Sequence, residues 1–284
     1  MKIEDVHIRA ALFAASLLAM VCGYWLMLSN HAPAMFASDI EDMSYAWYVP
    51  VFSLYVIWRE RKEILASVGD PSAVGLLLAL PAFAAGFLGI RGHQLRLEIV
   101  GFVGLLISLT WIYFGAKTMR RILFPALFLL FCMPLATFLD IVTVHLRIFS
   151  TGAAYAILKG LGVDVVRQGT MLASSTGSFA IDVADPCSGL RSLFALAALT
   201  AGYAYFNQST WFRRGLLFAL SVPIAVFGNV ARIFSIVIVA ALCSPDFATG
   251  FYHDYSGYVV FLVAISLMLL ASKAIALGGG KCAD

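Results

Sequence analysis

Three short stretches put chemically capable side chains into apolar surroundings: Asp185-Pro186-Cys187-Ser188-Gly189-Leu190-Arg191, Gly228-Asn229-Val230-Ala231-Arg232 and Tyr252-His253-Asp254-Tyr255. A thiol supplies a nucleophile, a guanidinium a fixed cation with several donors, and an imidazole a proton carrier near neutral pH. Together these groups can carry acyl transfer through a thioester. Cys187 would attack a carbonyl, Arg232 would hold the developing oxyanion, and His253 would move the proton.

The local sequence favours a reactive thiol. Asp185 suits a helix N-cap and Pro186 the first helical position. Cys187 then falls in the first turn, where free N–H groups and the helix dipole favour the thiolate. Arg191 stands four residues on, on the same face, and Asn229 stands one turn before Arg232. Asp254, or a tyrosine at 252 or 255, is placed to orient His253. Each residue also has a plainer reading. Cys187 can be a small buried residue at a helix start, or be lost to a disulfide with Cys243. Arg232 can be a structural arginine paired with Asp140 or Asp182. His253 can be an ordinary interfacial histidine.

These residues need a scaffold, and the composition restricts it. The chain has 284 residues, is 62% hydrophobic and 12% charged, and has a mean hydropathy of +0.92. A membrane span takes about 20 mostly apolar residues, and roughly eight such stretches are present. They are Ile8–Leu28, Met43–Trp58, Ala73–Ile90, Leu95–Ala116, Ile122–Leu139, Cys187–Phe206, Gly215–Leu242 and Tyr255–Leu277. Little sequence is left for a soluble domain. The expected fold is therefore one all-α integral membrane domain over residues 1–284. The first stretch is too long for a signal-peptide core and no clear cleavage site follows, so it reads as an uncleaved span. The net charge of +3 gives no reason to propose nucleic acid as a partner. The five cysteines show no Cys-x-x-Cys pair and no zinc spacing, so neither a metal nor another cofactor is expected.

Orientation follows the basic residues in short loops. With the N-terminus inside, the inner segments hold Lys2 and Arg9, then Arg59, Arg61 and Lys62, then Lys117, Arg120 and Arg121, then Arg213 and Arg214, and finally Lys273 and Lys281. The outer segments hold most of the acids, so both termini are expected inside. The outer segment from Asp140 to Pro186 differs from the others. Ile141–Leu161 is apolar but carries His145, Arg147 and Lys159, as an amphipathic helix on the outer surface or a ninth span would. A ninth span would turn Arg213 and Arg214 outward, so the interfacial reading is preferred. Val163–Val183 alternates, with turn signals at 167–169 and 174–177, and predicts one or two small hairpins. His31 and His93 read as loop residues. In this topology Cys187, Arg232 and His253 all fall in the outer half of the membrane.

Taken together, Cys187-Ser188-Gly189-Leu190-Arg191-Ser192, Asn229-Val230-Ala231-Arg232-Ile233 and His253 followed by Gly257 resemble the exosortase/archaeosortase family of membrane cysteine enzymes. The likeness extends more weakly to Tyr48-Val49-Pro50 with Trp58-Arg59, and to the segment from Pro134 through Gly169. The pair Asp185-Pro186 departs from the small or apolar residues expected before the cysteine. The resemblance implies that Cys187, Arg232 and His253 are catalytic. It also implies that the substrates are exported proteins with a C-terminal tripartite signal: a brief motif, one transmembrane helix and a basic tail. Cleavage would occur on the outer face of the cell membrane, with a surface polysaccharide or lipid as acceptor. Three readings compete: a transporter or channel and an enzyme of lipid-linked substrates, each using Arg232 to bind an anion, and a non-catalytic assembly factor. The absence of inverted repeats counts against the transporter.

Overall fold

The computed structural model describes residues 3–37, 43–134, 140–182 and 190–277. It is mostly helical, with one small sheet, and forms two compact units, Met1–Leu135 and Ala136–Asp284. Among the described residues, five helices are long and apolar enough to cross a membrane: Val6–Gly23, Gly75–Gly92, Leu95–Cys132, Trp211–Leu242 and Tyr255–Leu277. Their outward faces carry large apolar side chains, such as Leu77, Leu80 and Phe83, or Tyr258, Leu262 and Leu270. Lipid rather than water suits such faces.

The first unit begins with α1 (Ile3–Gly23), a π-turn at Met27–His31 and α2 (Ala32–Phe36). A 3-10 turn at Ser44–Trp47 leads into α3 (Tyr48–Arg59) and α4 (Arg61–Ala66). Pro50 sits in the first turn of α3, where its missing N–H breaks no helical bond. The Arg61 guanidinium lies over the Trp58 ring at 4.9 Å, an aromatic and basic pairing suited to a membrane boundary.

Next, α5 (Gly75–Gly92) and α6 (Leu95–Phe128) form a hairpin that turns at His93, in the left-handed region (φ 52°). Small residues line its seam, with Gly86 against Gly101, Ala82 against Gly104 and Gly89 against the Leu97–Glu98 backbone. In lipid this close approach replaces the hydrophobic effect as the cohesive force. The run Leu95–Cys132 is two helices that meet at a break at Gly115 (φ 79°, ψ 175°), close to the boundary expected between the spans Leu95–Ala116 and Ile122–Leu139. Lys117 to Arg121 are compatible with helix and lie in the first turns of the second helix, so the break is confined to Gly115.

His31 is not a simple loop residue. It lies in the π-turn, and its Nδ1 is 3.1 and 3.2 Å from the two oxygens of Glu98, which is fully buried in the first turn of α6. His93 meets the His31 ring edge-on, with centroids 5.9 Å apart.

The second unit starts with α7 (Asp140–Gly160) and a three-stranded antiparallel meander, β1 (Val166–Gln168), β2 (Met171–Ala173) and β3 (Ala180–Asp182). These are the two hairpins that the alternation predicts, with Gly169 and Gly177 supplying positive φ in the connections. Arg167 ties β1 to α7, donating to the Ile148 carbonyl at 3.0 Å and to the Gly169 carbonyl at 2.8 Å. Asp164 secures the β2–β3 connection by accepting from the Ser174 hydroxyl (2.7 Å), the Ser175 hydroxyl (2.7 Å) and the Ser175 N–H (3.1 Å). These bonds hold its carboxyl below the usual range.

The unit is completed by α8 (Leu190–Asn207), α9 (Trp211–Leu242), the short α10 (Pro245–Phe247) and α11 (His253–Leu277). One core joins Ala154 and Leu158 of α7, Leu172 and Ile181 of the sheet, and Ile233 and Val237 of α9. On α7, His145 is exposed, whereas the Nε of Arg147 is buried without an acceptor. Further along, Leu196, Ala225 and Ala264, then Ala204, Leu217 and Met268, lock α8, α9 and α11 together. Arg214 stacks on Tyr205 and Trp211 at 4.9 and 5.2 Å.

Candidate active site

Arg232 lies ten residues before the end of α9 at Leu242, roughly 15 Å along the axis at about 1.5 Å per residue. The chain then turns back sharply. Ser244 caps α10, its hydroxyl accepting from the Phe247 N–H at 3.2 Å. A π-turn over Ala248–Tyr252 leaves helical angles at Gly250 (φ −93°, ψ −106°), and α11 starts at His253. The reversal lays the first turn of α11 beside the Arg232 level of α9.

There the two polar residues meet. Arg232 Nη2 donates to His253 Nε2 at 3.3 Å and to the His253 carbonyl at 3.1 Å. That carbonyl also accepts from the Ser256 hydroxyl at 3.0 Å. A guanidinium has no acceptor, so the bonded Nε2 must carry a lone pair rather than a proton. Among the described residues no carboxylate pairs with Arg232; Asp182 is not its partner. The Nε of Arg232 is buried and has no acceptor.

Gly257 makes this approach possible. It stands four residues after His253, on the same face of α11. A Cβ there would lie 3.3 Å from Arg232 Nη2 and 3.5 Å from its Cζ. The hydrogen of glycine lets the guanidinium lie flat against the helix.

Below the pair a cleft runs between three helices. Its walls are Ser192 and Leu196 of α8, Ala225, Gly228, Asn229 and Arg232 of α9, and Gly257, Val260, Phe261 and Ala264 of α11. Arg232 and Asn229 make one end polar, and the remainder is apolar. Asn229 is 7% exposed, and its amide forms no hydrogen bond among the described residues.

Of the residues singled out in the sequence, the structure therefore brings Arg232, His253 and Asn229 together. Cys187, with Asp185 and Pro186, lies outside the described residues, as do the side chains of Arg191 and Asp254. Cys243 is an exposed free thiol. The cleft walls were not evident in the sequence, although Ala225, Gly228, Asn229 and Arg232 share one helical face by spacing. Among the described residues no group of three His, Cys, Asp or Glu is arranged to hold a metal ion.

A family model described as transmembrane exosortase matches residues 37–270, a range that takes in the cleft and the Arg232–His253 pair. Searches of curated proteins and of solved structures gave no match.

Proposed function

The chain belongs to the transmembrane exosortase family, and from that premise we propose that it is a membrane-embedded cysteine transpeptidase or protease that removes a C-terminal sorting signal. The observation that carries this reading is the Arg232–His253 pair, an imidazole nitrogen 3.3 Å from a guanidinium at the head of a cleft. A transporter site for an anion has no need of an imidazole bonded to its cation.

In the proposed reaction the Cys187 thiol gives its proton to His253, and the thiolate sulfur attacks the scissile carbonyl carbon. The oxygen of the tetrahedral adduct takes the negative charge and is held by Arg232, whose buried Nε–H is available. Collapse breaks the C–N bond, and the histidine returns its proton to the leaving amine. An acyl thioester on Cys187 remains. An amine acceptor resolves it to a new amide, or water resolves it to a carboxylate. Arg191 supports the thiolate and Asp254 orients the imidazole.

The substrates in this reading are exported proteins ending in a brief motif, one transmembrane helix and a basic tail. The acceptor lies on a surface polysaccharide or lipid. The bilayer holds both enzyme and substrate, which confines their encounter to two dimensions. We place the site on the periplasmic or extracellular face of the cell membrane, as the eight spans with both termini inside expected from the sequence imply. There α7 lies along the interface, and the meander with α7 borders the approach of the substrate.

The test is Cys187→Ala in the native host, followed by inspection of membrane proteins that carry a C-terminal helix and basic tail. Full-length precursors in the mutant and cut forms in the wild type are expected. Identical processing in both strains would remove the thiol mechanism.

A further inference from the structure

We propose that the cleft beneath Arg232 is the subsite for the leaving side of the substrate, and that Asn229 binds there the peptide unit next to the scissile bond. This rests on the sorting-enzyme reading above and adds which part of the substrate lies where.

The polar end of the cleft indicates the ligand. Arg232 offers a buried Nε–H without an acceptor, and Asn229 an amide without a partner. A carboxamide presents a donor and an acceptor side by side, which matches the C=O and N–H of a peptide unit. A phosphate would use only the donor and leave the Asn229 oxygen unsatisfied. The spacing also fits. Three helical residues separate Asn229 from Arg232, about 4.5 Å along the axis at ~1.5 Å each. An extended chain advances roughly 3.3–3.6 Å per residue. With the scissile carbonyl on Arg232, Asn229 therefore meets the adjoining peptide unit.

The depth of the cleft sets the direction. Asn229 and Ala225 lie further than Arg232 from the α9 end that faces His253. In a substrate whose transmembrane helix follows its motif, the residues deeper in the membrane are those C-terminal to the cut. The rest of the cleft is apolar, walled by Leu196, Ala225, Val260, Phe261 and Ala264, and it is narrow, so the proposed occupant is an extended stretch with small apolar side chains.

The experiment uses the full-length Cys187→Ala chain in the native host, with the photoreactive amino acid benzoylphenylalanine replacing Phe261. Illumination should join it to an exported protein with a C-terminal helix and basic tail. The adduct should fall within about three residues on the C-terminal side of the point where the wild-type enzyme cuts. Asn229→Ala should lower the adduct yield at least fivefold, and Ala225→Leu, which fills the cleft, should lower it similarly. Membrane abundance and thermal melting of each variant establish that it folds. Should Asn229→Ala not fold, Asn229→Asp, which keeps the shape and removes the donor, replaces it. Adducts confined to lipid, adducts only N-terminal to the cut, or yields unchanged in both cleft variants would overturn the proposal. Failure of the sorting reading shows itself separately, as uncut precursors failing to accumulate in the Cys187→Ala strain.

Discussion

Gly257→Ala should separate activity from stability. The added methyl carbon would stand 3.3 Å from Arg232 Nη2 and 3.5 Å from Cζ, inside the 3.5–4.0 Å of a relaxed contact. The guanidinium must then withdraw by a few tenths of an ångström. The Nη2–Nε2 bond to His253 is already 3.3 Å, beyond the usual range of about 2.7–3.2 Å. The withdrawal takes it out of bonding distance. A hydrogen bond to a charged group is worth about 1.5–3 kcal/mol, a factor of roughly 10 to 100 in rate if the reaction depends on it. Alanine within a helix is favoured over glycine by about 0.5–1 kcal/mol, which offsets the contact strain in the fold. The expected result is a 10- to 100-fold loss of precursor processing with a melting temperature unchanged or raised. Processing rate and melting in the same membranes measure both. Wild-type processing by this variant would refute the argument that Gly257 sets the position of Arg232.

Arg232→Lys keeps the charge but not the planar fork that reaches both Nε2 and the carbonyl of His253. Processing should fall at least ~100-fold with the chain still inserted, as read from precursor accumulation. Glu98→Ala removes the buried partner of His31 and should destabilise the first unit by about 3 kcal/mol. Glu98→Gln, which retains a hydrogen-bonding group, should cost less, and denaturant melts will rank the two. The Asp164 carboxyl is held below its ordinary value, so its contribution to the β2–β3 connection is fully present above the unfolded pKa of about 3.9. It is lost as the pH falls through the folded value. Hydrogen exchange at the Ser175 amide should therefore stay slow from pH 7 to 5 and quicken below about 4, once corrected for intrinsic rates, whereas Asp164→Asn should quicken it at neutral pH.

Local sequence determined much of this protein. Long apolar runs announce membrane helices because each span meets its backbone hydrogen bonds within itself, whatever its neighbours do. The stretches at Ala73–Ile90, Gly215–Leu242 and Tyr255–Leu277 thus reappear within a few residues as α5, α9 and α11. The alternation and turn residues of Val163–Val183 specified the meander for the same reason, since register and turn are set over a few neighbours. Arg232 and His253 were legible as residue types that are costly in an apolar chain, and Cys187 as a nucleophile at the expected start of a helix.

Tertiary structure decided the rest. Composition marked residues 117–121 as the loop between two spans, but the break falls at Gly115 and the basic residues open the helix that follows, because glycine readily takes the positive φ of the break. Glu98 gave no signal of its burial against His31, since that pair spans 67 positions and depends on where the π-turn falls against the α5–α6 hairpin. The bond between Arg232 and His253 needed the reversal through α10 and Gly250, and the missing side chain of Gly257. A cleft lined from three helices has no local signature at all. Sequence names groups that are expensive to bury, because that cost belongs to each residue alone. Only packing determines which of them meet, because contact depends on every turn and small residue between them.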